Sequence, residues 1–258
     1  MRPSRFLPSL PLLLTLGACA PPPPEVTLST QGPTVIFEAG LGDTAEAWTA
    51  VQLPPDLGRF AWTRAGYGLG PALLVGRDWP GDRDGRRSGA EVAAQLEQAL
   101  QQSGVAPPYI LVGHSLGALY VLHFAKTHPE QIAGIVLVDP RLPGFTTACK
   151  ARGLRGCEVP PLLRLALSDT EQLELAGVPE TEAALSDLHE LREIPLTLLL
   201  ATRGGLGEDP GWRQLWAEHA ETFARGFTTA RVVPVDSGHY IQSADPALVV
   251  DEITRLVR

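Results

Sequence analysis

Three short apolar runs stand out along the chain: Tyr109-Ile110-Leu111-Val112, Ile135-Val136-Leu137-Val138 and 196–200. None alternates with polar residues. A strand covered on both faces reads this way, because it has no solvent side to mark. Further strands are predicted at 26–29, 35–38, 60–63 and 231–235. Helical spacing lies between them. Ser88 with Glu91 matches a capping box, and Val92, Leu96 and Leu100 form a stripe that runs to Gly104. An apolar helix is predicted over 118–124 and a closing helix over 247–257. Strand and helix in alternation predict an α/β domain with a mostly parallel, doubly wound sheet.

One segment breaks the alternation. Residues 141–195 separate two buried strands, far more than a normal crossover needs. The segment holds Cys149 and Cys157, then amphipathic runs around 162–175 and 181–191. It is predicted to be a helical cap inserted over one end of the sheet.

The N-terminus has a different character. Arg2 and Arg5 precede an apolar stretch over 6–16, too short to span a bilayer. It ends in Leu16-Gly17-Ala18-Cys19, and Pro21 to Pro24 follow as a stiff spacer. A basic start, a short apolar run and small residues before a cut site describe an export signal. The site resembles a bacterial lipobox. That resemblance implies a signal peptide over 1–18, a lipidated Cys19 with a Pro-rich linker over 19–33, and a folded domain over 34–258. It also implies an exported lipoprotein, anchored to a membrane on the extracytoplasmic side.

The anchor changes two counts. The formal charge of the whole chain is −8; losing Arg2 and Arg5 leaves 19 basic against 29 acidic residues, a charge of −10. Such a chain is a poor nucleic-acid ligand, since neutralising phosphates needs clustered Lys and Arg. Three cysteines are an odd number for an exported protein. If Cys19 carries lipid, Cys149 and Cys157 remain, eight apart. They are read as a disulfide, with two free thiols as the alternative. No metal or cofactor is expected: the chain has no H-E-x-x-H and no close Cys/His cluster. Gly66-Tyr67-Gly68-Leu69-Gly70 lacks P-loop or dinucleotide spacing. Oligomeric state is not legible.

Candidate chemistry centres on Gly113-His114-Ser115-Leu116-Gly117, which follows the strand at 109–112 and opens a helix. G-x-S-x-G between strand and helix is the pattern of a nucleophile elbow. The turn is tight enough to strain the serine and project its hydroxyl, and the flanking Gly113 and Gly117 leave room where a Cβ would collide. The helix N-terminus behind Ser115 favours developing negative charge. Of six histidines, His114 neighbours Ser115 but points to the opposite face. His123 and His128 fall in or after the next helix. His189 and His219 lie in charged helical stretches and are expected to be solvated. His239 lies in Asp236-Ser237-Gly238-His239, after the last strand.

These motifs, with Glu38-Ala39-Gly40-Leu41-Gly42-Asp43, Arg64-Ala65-Gly66-Tyr67-Gly68 and Val138-Asp139-Pro140, come in an order that resembles the α/β-hydrolase superfamily, in its cap-bearing esterase, lipase and peptidase branch. The resemblance covers about 34–258. It implies the α/β-hydrolase fold and a Ser…acid…His order with His239 as base. Many relatives place the acid after the strand that follows the cap, but here Ala201-Thr202-Arg203-Gly204-Gly205 offers no carboxylate. Asp139 ends the preceding strand and resembles the branch in which the acid sits there; Asp209 is the alternative. The resemblance places the oxyanion hole at the backbone amides of Leu41 and Leu116, while Asp43 is read as a cap for the next helix. It implies a serine hydrolase cleaving a carboxylic ester or related acyl bond, with thioesterase, lactonase, aminopeptidase and cofactor-free haloperoxidase activities open. A serine at the elbow argues against dehalogenase and epoxide-hydrolase chemistry, whose relatives carry aspartate there. The partner is then a small ester or acyl substrate. The other class is a non-catalytic ligand-binding lipoprotein on the same fold.

Overall fold

A computed structural model describes residues 23–29, 31–67, 82, 84–205 and 209–257. The lipobox, Cys19, Pro21, Pro22 and the Gly68–Gly70 part of the glycine motif lie outside them. Among the described residues, seven strands form one sheet: β1 (Glu25–Thr27), β2 (Thr34–Glu38), β3 (Gly58–Ala61), β4 (Tyr109–His114), β5 (Ile132–Val138), β6 (Leu196–Ala201) and β7 (Ala230–Val235). Their order is β1-β3-β2-β4-β5-β6-β7. Only β1 is antiparallel, pairing Val26 with Phe60 at one edge. Pro234 sits in β7 at the other edge, where an outward-facing N–H has no strand to pair with and can be dispensed with.

The unpatterned apolar runs are the central strands. Along β4, Ile110 and Val112 join one core and Leu111 the other. All three are wholly buried, so the two faces of the sheet share one strand. On the Leu111 side lie α1 (Gly89–Gln102), α2 (Gly117–Thr127) and α6 (Pro210–Ala224). On the other lie Trp48, α7 (Ile241–Ala244) and α8 (Pro246–Arg255). Ser88 and Glu91 form the reciprocal capping box that their spacing predicts at the start of α1.

The long crossover between β5 and β6 differs in detail from its sequence pattern. It contains α3 (Phe145–Ala151), a single turn α4 (Pro161–Arg164) and α5 (Asp169–Ala184). The expected run over 162–175 is therefore split, and 181–191 is not a helix of its own. A capping box of Ser168 and Glu171 starts α5 afresh, and the helix continues through Pro179 to absorb residues 181–184. Only His189–Leu191 forms a further short turn. Cys149 and Cys157 are joined in a disulfide that ties the end of α3 to the loop beyond it. No helix of the described residues is long and apolar enough to cross a membrane.

Candidate functional site

Parallel strands end together, so the residues just past β4, β5 and β7 are brought to one edge although they lie far apart in sequence. Ser115 follows β4 with φ +52°, a left-handed conformation uncommon for a side chain. Two bonds brace the turn: Ser115 N–H donates to Val138 O at 3.1 Å, and Arg141 N–H donates to Ser115 O at 2.9 Å. Both partners flank Asp139, so the β4 and β5 ends are laced to each other. The glycines are there for space. A Cβ on Gly113 would lie 2.9 Å from Ala118 Cα on α2, and one on Gly117 only 2.4 Å from Ala39 O.

Asp139 also takes positive φ, +38°, and its carboxyl is fully buried. His239 Nδ1 is 2.6 Å from Oδ2. Arg213 Nη1 donates to both oxygens, at 3.0 and 2.9 Å. Ala201 N–H and Trp216 Nε1–H each donate to Oδ1 at 3.1 Å. Burial alone would raise this carboxyl. The bond from His239 and the charge of Arg213 outweigh burial and hold it below the usual aspartate range. An ionised Asp139 accepts only, so it requires a proton on Nδ1 and leaves Nε2 of a neutral His239 as an acceptor.

The second candidate acid is elsewhere. Asp209 caps α6, accepting from Gly211 N–H at 3.0 Å, and faces Arg155. His114 is 1% exposed and belongs to the site's wall: its Nε2 is 3.0 Å from His239 O, and its ring packs on those of His239 and Tyr240. Burial lowers its pKa. Asp43 does not cap the following turn; Thr44 does, while Asp43 faces His114 and Tyr240. His189 is exposed, but His219 is partly buried with its Nε2 2.9 Å from Pro143 O, because the crossover folds onto α6. The amides of Leu41 and Leu116 make no hydrogen bond among the described residues. Gly40 brings the first of them close to Ser115, since a Cβ on Gly40 would lie 3.3 Å from Ser115 Cβ.

Arg213 and Trp216 escape sequence reasoning, since one helical turn of α6 carries both to Asp139 from 74 and 77 residues away. So does a second buried cluster behind the Ala39–Gly42 loop. Arg64 there binds Glu38, Glu174, Ala39 O and Gly40 O. Burial pushes Glu38 up to about 7, against the pull of Arg64 and a bond from Trp62. Among the described residues, no group of three His, Cys, Asp or Glu side chains could hold a metal ion.

The family model described as alpha/beta hydrolase fold matches residues 33–156. YqjL of Bacillus subtilis is 32% identical over 115 residues, covering 44% of this chain and 42% of that protein, so the chain spans less than half of that relative. Haloalkane dehalogenase DbeA from Bradyrhizobium elkani superposes with a TM-score of 0.60 at 17% identity, over 90% of this chain and 93% of that one. A Paleococcus ferrophilus monoacylglycerol lipase gives 0.56 at 16%, over 90% and 99%. Identities this low speak for fold alone. The chain has the α/β-hydrolase fold.

Proposed function

We propose, on the premise of this fold, that the protein is a serine hydrolase that cleaves a carboxylic ester or related acyl bond. The observation that carries the reading is the 2.6 Å contact between His239 Nδ1 and the ionised, buried Asp139, at the strand ends beside the strained Ser115. Asp139 holds the Nδ1–H tautomer. His239 Nε2 takes the Ser115 proton as Oγ attacks the acyl carbon. The amides of Leu41 and Leu116 receive the oxyanion. His239 then returns the proton to the leaving oxygen, and an acyl group stays on Ser115 until water repeats the sequence. Residues 141–195 act as the cap that shapes the acyl pocket and excludes water. The chain acts as an exported lipoprotein, held to the membrane through Cys19.

Two measurements test this. A fluorophosphonate is expected to label Ser115 in the folded protein, and a p-nitrophenyl ester chain-length series should show hydrolysis that Ser115→Ala abolishes. A folded protein that neither labels nor hydrolyses favours the non-catalytic binder.

A further inference from the structure

The Arg64 cluster has a geometry that bears on the proposed oxyanion hole. A guanidinium carries five N–H donors, and all five are used here with the side chain 1% exposed. Nε binds Glu174 Oε1 at 2.7 Å, and Nη2 binds Glu174 Oε2 at 3.0 Å. Nη1 binds Glu38 Oε1 at 2.5 Å and Ala39 O at 2.7 Å. The last N–H, on Nη2, binds Gly40 O at 2.7 Å.

That last acceptor belongs to the same peptide group as the Leu41 N–H. The Gly40–Leu41 bond is trans, so its C=O and N–H point in opposite directions. Drawing the carbonyl onto Arg64 therefore turns the amide away from Arg64. A charged donor on the oxygen also polarises the N–H. Asp43 N–H completes the carbonyl's bonding at 3.3 Å. The far end of the loop is held to the same cluster, because Gly42 N–H donates to Tyr67 Oη at 3.2 Å and Tyr67 donates to Glu174 Oε2 at 2.9 Å.

Glu174 comes from α5, in the crossover, 110 residues from Arg64. We propose that Glu174 and Arg64 are positioning residues: docking of α5 orients Arg64, and Arg64 sets the peptide that offers the Leu41 amide to the oxyanion. The crossover thus completes the oxyanion hole as well as covering the site. This rests on the serine-hydrolase reading.

Phosphonylation by a fluorophosphonate isolates the step without knowledge of the natural substrate. Ser115 Oγ bonds to phosphorus, the P–F bond breaks, fluoride leaves, His239 takes the proton, and the phosphoryl oxygen gathers negative charge in the oxyanion hole. Wild type, Glu174→Gln and Tyr67→Phe would be compared in limiting rate and in the concentration giving half that rate, with folding checked by near-UV circular dichroism. Glu174→Gln is expected to lower the limiting rate by about 10- to 100-fold, less than outright loss of a donor. Its half-saturating concentration should stay unchanged, and a trifluoromethyl ketone, which forms a tetrahedral oxyanion on serine, should bind more weakly by a similar factor. Tyr67→Phe should lower the limiting rate by about 3-fold, and it carries the test alone should Glu174→Gln not fold. An unchanged limiting rate and ketone affinity in a folded variant overturn the proposal. So does a change confined to the half-saturating concentration. Ser115→Ala separates the two readings: if it still turns over ester, the serine-hydrolase reading fails; if it is inactive while Glu174→Gln matches wild type, only the positioning role fails.

Discussion

The Asp139 carboxylate and the Arg64 guanidinium are both buried charges, and each is enclosed by groups of the opposite kind. Asp139 collects donors from β6, α6 and the loop after β7. Arg64 spends its donors on two carboxylates and two carbonyls. Burying a charge is tolerable only when such bonds replace water. The clusters differ at one end. The Asp139 network terminates in His239, whose side chain is 37% exposed, while Arg64, Glu38 and Glu174 are all closed to solvent. A network with an imidazole at its solvent-open end can pass a proton to a bound substrate. A closed one has no such outlet and holds backbone in place.

The largest expected effect separates the two candidate acids. Asp139→Asn should lower kcat on an ester by about 10,000-fold, because a neutral amide no longer dictates the His239 tautomer. Asp209→Asn should leave kcat near wild type, since asparagine caps a helix as well as aspartate does. The reverse result would make Asp209 the acid and break the comparison.

A smaller effect probes the closed cluster. Arg64→Met leaves Glu38 and Glu174 without their shared cation and should cost about 3–5 kcal/mol in urea unfolding. A loss under about 1 kcal/mol would mean that the cluster relaxes and holds nothing rigidly.

The smallest effect is a pH slope, of opposite sign in the two clusters. Glu38 is raised from 4.5 to about 7 in the fold, so between those values the native state binds the extra proton and stability falls as pH rises. Asp139 is lowered, so its contribution is present at neutral pH and is lost only as pH drops below the usual aspartate range. Urea midpoints of wild type and Glu38→Gln at pH 4.5, 6 and 8 check the first: the variant should lack the decline. An equal decline in both would assign the slope to other groups.

The central strands were legible because β4, β5 and β6 are apolar on both sides, a pattern only a doubly covered sheet requires. The start of α1 was legible because its cap is local, Ser88 to Glu91. The crossover helices were not, since Ser168 and Glu171 restart the helix inside what reads as one amphipathic run. His114 shows the limit of a face-alternation argument. The pleat turns it away from Ser115, yet it lands against the carbonyl of His239, 125 residues on.

By itself the sequence determined the alternation of strand and helix, the G-x-S-x-G turn and a short set of candidate groups: Ser115, His239, Asp139 or Asp209, and the Cys149–Cys157 pair. These are legible because each rests on residues close in the chain or on a single periodicity. Only the tertiary structure set Asp139 against His239, turned Asp209 into a helix cap, brought Arg213 and Trp216 to the carboxylate, and joined Glu38, Arg64 and Glu174. Apart from the local Asp209 cap, those contacts join residues 26 to 110 apart, and a buried charge finds its partners only once packing has excluded water.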